Sequence, residues 1–375
     1  MIKSAVILAG GKGIRMLPIT EFNPKALIPI NGTPIIKKQI DQLVSLGVRQ
    51  IIVLVGYLGY QIHDYLRSMK FDIEIDVIET DPNFTPAQRL IDASHRIASE
   101  FILIYCDNYI PDNHVIKAQL DSTADLKFVL QKRSQGNVKV RKGQEAIYVN
   151  HERSENCPFV ELGYLAIRSP EFLNLLAELK DLPKTLATFS SKNICLFSEL
   201  ISEYNSVSSF KRYVEQKLFG NLVILDRDGV INKRKGYRDY VLHKNDLVLE
   251  LENIAHLSII GLQGSSFVVA TNQPAIALGK MTERSLRDIH LELTNSLRLQ
   301  NIHLLSFYTC KHHWNDNCEC RKPKPGLLKD ILKDFELTDK EVYFIGDSDS
   351  DMSAAVSASV RGFKIPENRI SNFPI

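Results

Sequence analysis

Four short runs in the second half of the chain carry residues whose types and spacing suit phosphoryl chemistry. The first is Leu222-Val223-Ile224-Leu225-Asp226-Arg227-Asp228-Gly229, four apolar residues and then two aspartates spaced one apart. Such an apolar run reads as a buried parallel strand, and open α/β sheets place their ligands beyond the C-terminal tips of their strands. Two carboxylates there can attack phosphorus, hold a divalent cation and shuttle a proton. Val268-Val269-Ala270-Thr271-Asn272-Gln273 ends a second strand-like run in a hydroxyl and two amides suited to phosphate. Arg321-Lys322-Pro323-Lys324-Pro325-Gly326 supplies cations on a proline-braced turn, and Tyr343-Phe344-Ile345-Gly346-Asp347-Ser348-Asp349-Ser350-Asp351 is another apolar run ending in acids. Nucleophile, hydroxyl, lysine and distal acid together predict one site at the strand ends of one sheet. Asp351 reads equally as a metal-supporting acid or as a helix N-terminal carboxylate.

Between these runs, Cys310, His312, Cys318 and Cys320 fall in C-x-H-x5-C-x-C spacing. Four nitrogen and sulfur donors can close a tetrahedral structural Zn²⁺ site with no open position. His313 is the alternative ligand, and the spacing favours His312. A metal on this loop would pre-organise Arg321 and Lys322, which follow it directly. Cys106, Cys157 and Cys195 are scattered and read as structural.

The first half offers a different pattern. Leu8-Ala9-Gly10-Gly11-Lys12-Gly13-Ile14-Arg15 follows a strand-like run. Glycines let the backbone approach a ligand and turn its N–H groups toward phosphate oxygens. Arg15 can clamp a phosphate bidentately, and Lys25, in Asn23-Pro24-Lys25-Ala26-Leu27, suits a point-charge contact.

The elements that must position these residues alternate. Residues 5–9, 50–55, 73–78, 101–105, 126–131 and 146–150 read as strands, with helical periodicity over 35–46, 61–68 and 86–98. In the second half, 222–225, 266–270, 304–309 and 342–345 read as strands. This order predicts an α/β chain of two Rossmann-like three-layer domains, a mixed sheet first and a parallel sheet second. The boundary is placed near 218, giving domains 1–218 and 219–375.

The 375 residues are 44% hydrophobic and 24% charged, with a formal net charge of +2. That composition predicts globular cores, and the near-neutral charge argues against nucleic acid as a partner. No apolar run approaches the roughly 18–20 residues that span a bilayer, so no membrane partner is expected. The N-terminus lacks a signal-peptide pattern, which with the cysteine usage predicts a cytoplasmic protein.

The run LAGGKGIRMLPIT followed by NPKALIPI resembles the signature of sugar-1-phosphate nucleotidyltransferases. The resemblance implies that Gly10, Gly11 and Gly13 wrap a nucleoside triphosphate, with Arg15 and Lys25 on its phosphates. It implies that Asp107 binds Mg²⁺ and that Glu161, in Phe159-Val160-Glu161-Leu162-Gly163-Tyr164, contacts sugar hydroxyls. The chain departs from that family where Pro82-Asn83-Phe84-Thr85-Pro86-Ala87-Gln88 replaces a Leu-Gly-Thr-Gly-like segment, and a clear second metal aspartate is missing.

DRDGVIN, TNQ, the cysteine loop with RKPKPG, and GDSDSDM resemble haloacid dehalogenase phosphatases of the D-glycero-D-manno-heptose 1,7-bisphosphate 7-phosphatase and histidinol-phosphate phosphatase subfamily. The resemblance implies that Asp226 forms an aspartyl-phosphate, Asp228 acts as acid and then base, and Thr271 and Lys322 stabilise the phosphoryl group. Asn272 and Arg321 would contact substrate. Asp226, the Asp228 carbonyl and Asp347 would bind Mg²⁺. Leu278 and Ser348 stand where the subfamily tends to carry cations.

The fusion implies consecutive steps: removal of a 7-phosphate, then nucleotidyl transfer to heptose 1-phosphate. GMP is the nucleotidyl group expected by resemblance to heptose-1-phosphate guanylyltransferases, and a lipopolysaccharide or capsule precursor is the expected product. Two other readings stand beside it: a phosphatase whose N-terminal domain binds nucleotide without catalysis, and a histidinol-phosphate phosphatase.

Overall fold

Runs rich in β-branched and aromatic residues form the strands, because such side chains fit a pleated surface buried on both faces. The computed structural model describes all residues except 141–144, 150–152, 194, 200–203, 237–238, 339–341, 366–372 and 374–375. The predicted strand over 146–150 therefore reaches beyond the described residues at Asn150. Two compact units emerge, one of residues 1–16, 24–27 and 34–209, the other of 17–23, 28–33 and 210–375.

The first unit is built on a nine-stranded sheet among the described residues. Its strands are β1 (Ser4–Ala9), β2 (Gln50–Val55), β3 (Glu74–Glu79), β4 (Phe101–Tyr105), β5 (Leu126–Lys132), β6 (Val138–Val140), β7 (Ala146–Tyr148), β8 (Phe159–Ile167) and β9 (Cys195–Glu199). The order is β7-β6-β8-β4-β1-β2-β3, with β5 pairing β8 and β9. β1 is parallel to β2 and β4, whereas β8 runs antiparallel to β4, so the sheet is mixed. Apolar clusters cover both faces, one around Ile7, Ile51 and Ile104, the other around Val6, Ile52 and Leu103. The helix Pro86–Asp92 starts where Thr85 and Gln88 form a capping box with Pro86 in the first turn.

Among the described residues the second unit has a five-stranded, wholly parallel sheet. Its strands are β10 (Leu222–Leu225), β11 (Ser266–Asn272), β12 (Leu304–Cys310), β13 (Tyr343–Gly346) and β14 (Arg361–Lys364), in the order β12-β11-β10-β13-β14. Chain order reverses at β10, the crevice where open α/β sheets bind ligands. Within this unit Asn23 Nδ2 donates to the carbonyls of Leu304 and Leu305, and its Oδ1 accepts from buried Arg298 at 2.6 Å.

Candidate active sites

At the tip of β10 the chain turns on Gly229, whose φ is +95°. A Cβ there would collide with Asp347 Oδ2, so this close approach of two strand ends requires glycine. Asp226 N donates to Ile345 O, fixing the nucleophile candidate against β13. Lys322 Nζ then lies 2.8 Å from Asp226 Oδ1, 2.7 Å from Asp351 Oδ1 and 2.9 Å from Ala270 O. Asp226, Asp347 and Asp351 each bring a carboxylate oxygen within 4.8 Å of the others, a set that fits a hard divalent cation.

Burial pushes the Asp226 carboxyl up to about 7; Lys322 pulls it down, while Asp351 and Asp228 add to the rise. Burial alone would depress the Lys322 ammonium, but Asp226 and Asp351 outweigh it and raise its pKa. Burial also raises Asp347, against the pull of the Arg234 guanidinium. Asp228 differs: burial works to raise it, but Arg227, Asn232 and Gln273 hold it below the usual carboxylate range. The two carboxyl groups of the D-x-D run are thus pushed apart, Asp226 toward the neutral form and Asp228 toward the ionised form. A cation at Asp226 would lower the first and an anionic phosphate beside Asp228 would raise the second, giving an ionised nucleophile and a protonated acid.

Several roles around this site escaped the sequence reading. Arg227, only 1% exposed, reaches both oxygens of Asp228 through one nitrogen at 2.9 and 3.0 Å. Gln273 Nε2 donates to Asp228 Oδ2 and to Thr271 Oγ1, both at 2.8 Å, so one amide of the T-N-Q run orients the proton shuttle candidate. The Asn272 side chain braces the Lys322 backbone at both N–H and C=O, which makes it a positioning group for the lysine as well as part of the cavity wall. Ser348 caps the helix Asp349–Ser357 in a capping box with Asp351, which aims the Asp351 carboxylate into the site. A cavity of about 690 Å³ opens beside these groups, with Arg234, Lys235, Tyr240, Trp314 and Arg321 on its wall.

The cysteine loop closes on itself. Cys310 Sγ is 3.7 Å from both Cys318 Sγ and His312 Nδ1, His312 Nδ1 is 3.2 Å from Cys320 Sγ, and the Cys318 and Cys320 sulfurs are 3.5 Å apart. Tetrahedral bonds of about 2.3 Å to sulfur and 2.0 Å to nitrogen imply donor separations of about 3.5–3.8 Å. The four donors fit such an ion. His313 instead lies tilted against the Trp314 ring and accepts from Asn315 N.

In the first unit a cavity of about 210 Å³ is lined by Gly10, Gly11, Gly13, Lys25, Phe84, Arg89 and Asp107, among others. Lys25 Nζ is 3.4 Å from Asp107 Oδ2. Arg15 stands exposed on the short helical turn Ile14–Met16, away from the lining. Glu161 sits where β8 slips register against β5, beside Gly163 at φ +78°. Its carboxylate accepts from Gly163 N, and burial raises its pKa to about 7, Gly163 opposing and Asp107 reinforcing. Arg89, unremarked in the sequence, is buried and donates to the carbonyls of Gly10, Val55 and Pro82 and to Thr80 Oγ1. A Cβ at Gly10 would collide with that guanidinium.

Comparison with known proteins decides the family. A nucleotidyl transferase profile matches residues 4–145, and a HAD-hydrolase-like profile matches residues 319–365. The D-glycero-beta-D-manno-heptose-1,7-bisphosphate 7-phosphatase of Neisseria meningitidis is 33% identical over 133 residues, 36% of this chain and 70% of that protein. The chain belongs to this 7-phosphatase family. Its Escherichia coli K12 member is 33% identical over 146 residues, 37% of this chain and 74% of its own length. Ahead of the 7-phosphatase part lies a nucleotidyltransferase domain, so the chain fuses a sugar-phosphate phosphatase with a sugar-1-phosphate nucleotidyltransferase. UDP-glucose pyrophosphorylase complexed with UDP-glucose shares the fold, with a TM-score of 0.50 and 15% identity over 57% of this chain and 97% of that one.

Proposed function

We propose that residues 219–375 hydrolyse the 7-phosphate of D-glycero-D-manno-heptose 1,7-bisphosphate, and that residues 1–218 transfer GMP from GTP to the resulting heptose 1-phosphate. The convergence of Asp226, Asp347 and Asp351, with Lys322 paired to the first and the third and Asp228 held separately beside them, carries the phosphatase half.

In that reading an Asp226 oxygen attacks phosphorus and the P–O bond to the sugar breaks. The departing alkoxide takes the proton of Asp228, leaving an aspartyl-phosphate. Asp228 then takes a proton from water as its oxygen attacks the phosphorus, releasing inorganic phosphate and the Asp226 carboxylate. Lys322 and Thr271 steady the transferring phosphoryl group. Mg²⁺ held by Asp226, the Asp228 carbonyl and Asp347 would neutralise charge on the phosphoryl oxygens. Arg321, Lys235 and Asn272 on the cavity wall suit the rest of a doubly anionic sugar. Cys310, His312, Cys318 and Cys320 would hold Zn²⁺ as a structural ion.

For the second activity, the glycine loop and Lys25 hold the triphosphate, and Arg15 reaches its phosphates from the exposed turn. Asp107 would hold a second Mg²⁺, and Glu161 faces the sugar. The phosphate of heptose 1-phosphate attacks the α-phosphorus and pyrophosphate leaves. No helix among the described residues is long and apolar enough to cross a membrane, and a cytoplasmic location suits these soluble substrates.

Mass spectrometry of products from heptose 1,7-bisphosphate, Mg²⁺ and mixed nucleoside triphosphates tests the proposal. A guanosine-diphosphate heptose is expected. Heptose 1-phosphate alone would remove the transferase half. No turnover of heptose bisphosphate beside hydrolysis of histidinol phosphate would remove the heptose assignment.

A further inference from the structure

We propose that Arg234 competes with the divalent cation for the phosphatase site and has to leave it for the ion to bind. The proposal rests on the cation ligands assigned above. Arg234 Nε donates to the Asp228 carbonyl at 3.3 Å, and a terminal nitrogen pairs with Asp347 Oδ1 at 2.7 Å. Those are two of the three groups assigned to the ion. The guanidinium fork satisfies both acceptors at once through two of its nitrogens.

A magnesium ion needs the same oxygens at about 2.0–2.1 Å in near-octahedral array. A guanidinium hydrogen-bonded to both occupies one lone pair on each group, and two positive charges would meet on one carboxylate. The contact therefore opposes ion binding. Arg234 has room to move: its side chain is 53% exposed, although Asp347 is only 13% exposed, and residues 233–236 belong to no helix or strand. Arg234 already lines the cavity with Lys235 and Arg321, so on leaving Asp347 it would have the far anionic group of the substrate as its partner. Ion binding and substrate recognition are thereby linked through one side chain.

A competitor that fills the site nine-tenths of the time weakens apparent ion affinity about tenfold. The test is Mn²⁺ binding, followed by calorimetry and by the loss of free-ion paramagnetic signal. It uses the full zinc-loaded chain carrying Asp107→Asn, so that only the phosphatase ion is counted. Arg234→Ala and Arg234→Gln are each expected to bind Mn²⁺ about tenfold more tightly, with Arg234→Lys between them and the parent. Unchanged or weaker binding in both variants, with normal thermal unfolding, overturns the proposal. Asp347→Asn separates it from the site assignment. If that change abolishes Mn²⁺ binding, the ion site stands and the Arg234 result is decisive by itself. If binding survives in Asp347→Asn, both fall together.

Discussion

Lys322 Nζ lies 2.8 Å from Asp226 Oδ1, and the two side chains are 2% and 8% exposed. With Asp351 on its other side, the lysine is the counter-charge for two buried carboxylates. Removing one partner of a buried ion pair leaves an uncompensated charge, at a cost of about 3–5 kcal/mol. Lys322→Met is expected to lower stability in urea by that order and to cut phosphate release by about 10²–10³-fold. Unaltered unfolding would show that the carboxylates share protons instead of leaning on the lysine.

The two chemistries should separate by mutation. Asp226→Asn keeps the shape but removes the attacking oxygen, so phosphate release should vanish while nucleotidyl transfer to supplied heptose 1-phosphate continues. Asp107→Asn should do the reverse. Pyrophosphate and phosphate release, measured side by side, check both. Surviving phosphate release in Asp226→Asn would eliminate the covalent route.

Strand runs and motif order were legible because four strands of the parallel sheet are short, mostly apolar runs that lead into their functional residues, as in β10 with Asp226 and β13 with Asp347, whereas β14, Arg-Gly-Phe-Lys, carries no such signal and was not read. Residues whose roles depend on long-range neighbours were not legible. Arg227 sits between the two aspartates, yet nothing in its position reveals that it turns inward to hold Asp228. Arg89 finds its carbonyl partners on Gly10, Val55 and Pro82, which chain order alone does not bring together. The Asn23-Pro24-Lys25 run reads as one motif, but Asn23 packs in the second unit and Lys25 in the first. Strand β9 lies far along the chain from its partner β5, and such a pairing leaves no local signal. Arg15 stands exposed on the turn that follows the glycine loop, and the phosphate contact its motif position implies is the one proposed above.

The cysteine loop makes a stoichiometric prediction. With donors already 3.2–3.7 Å apart, one Zn²⁺ per chain is expected by elemental analysis. Cys318→Ser should lower occupancy well below one and reduce phosphatase activity, because the loop runs into Arg321 and Lys322. Nucleotidyl transfer should be untouched. Full zinc occupancy in Cys318→Ser would break the ligand assignment, and His313→Ala with undiminished occupancy would support His312.

Glu161 predicts a pH dependence of known sign. Burial raises its carboxyl to about 7, above the ordinary carboxylate range that it recovers in the unfolded chain. Between about 4.3 and 7 the folded state therefore binds more protons than the unfolded state, and stability falls as pH rises through that window. Glu161→Gln removes the ionisation but keeps an oxygen that can accept from Gly163 N. The variant should gain on the order of 2–3 kcal/mol more at pH 8 than at pH 5, seen as a melting-temperature difference that widens with pH. A difference that stays constant from pH 5 to pH 8 would mean that Glu161 is ionised in the folded protein throughout, held by partners stronger than the cost of its burial.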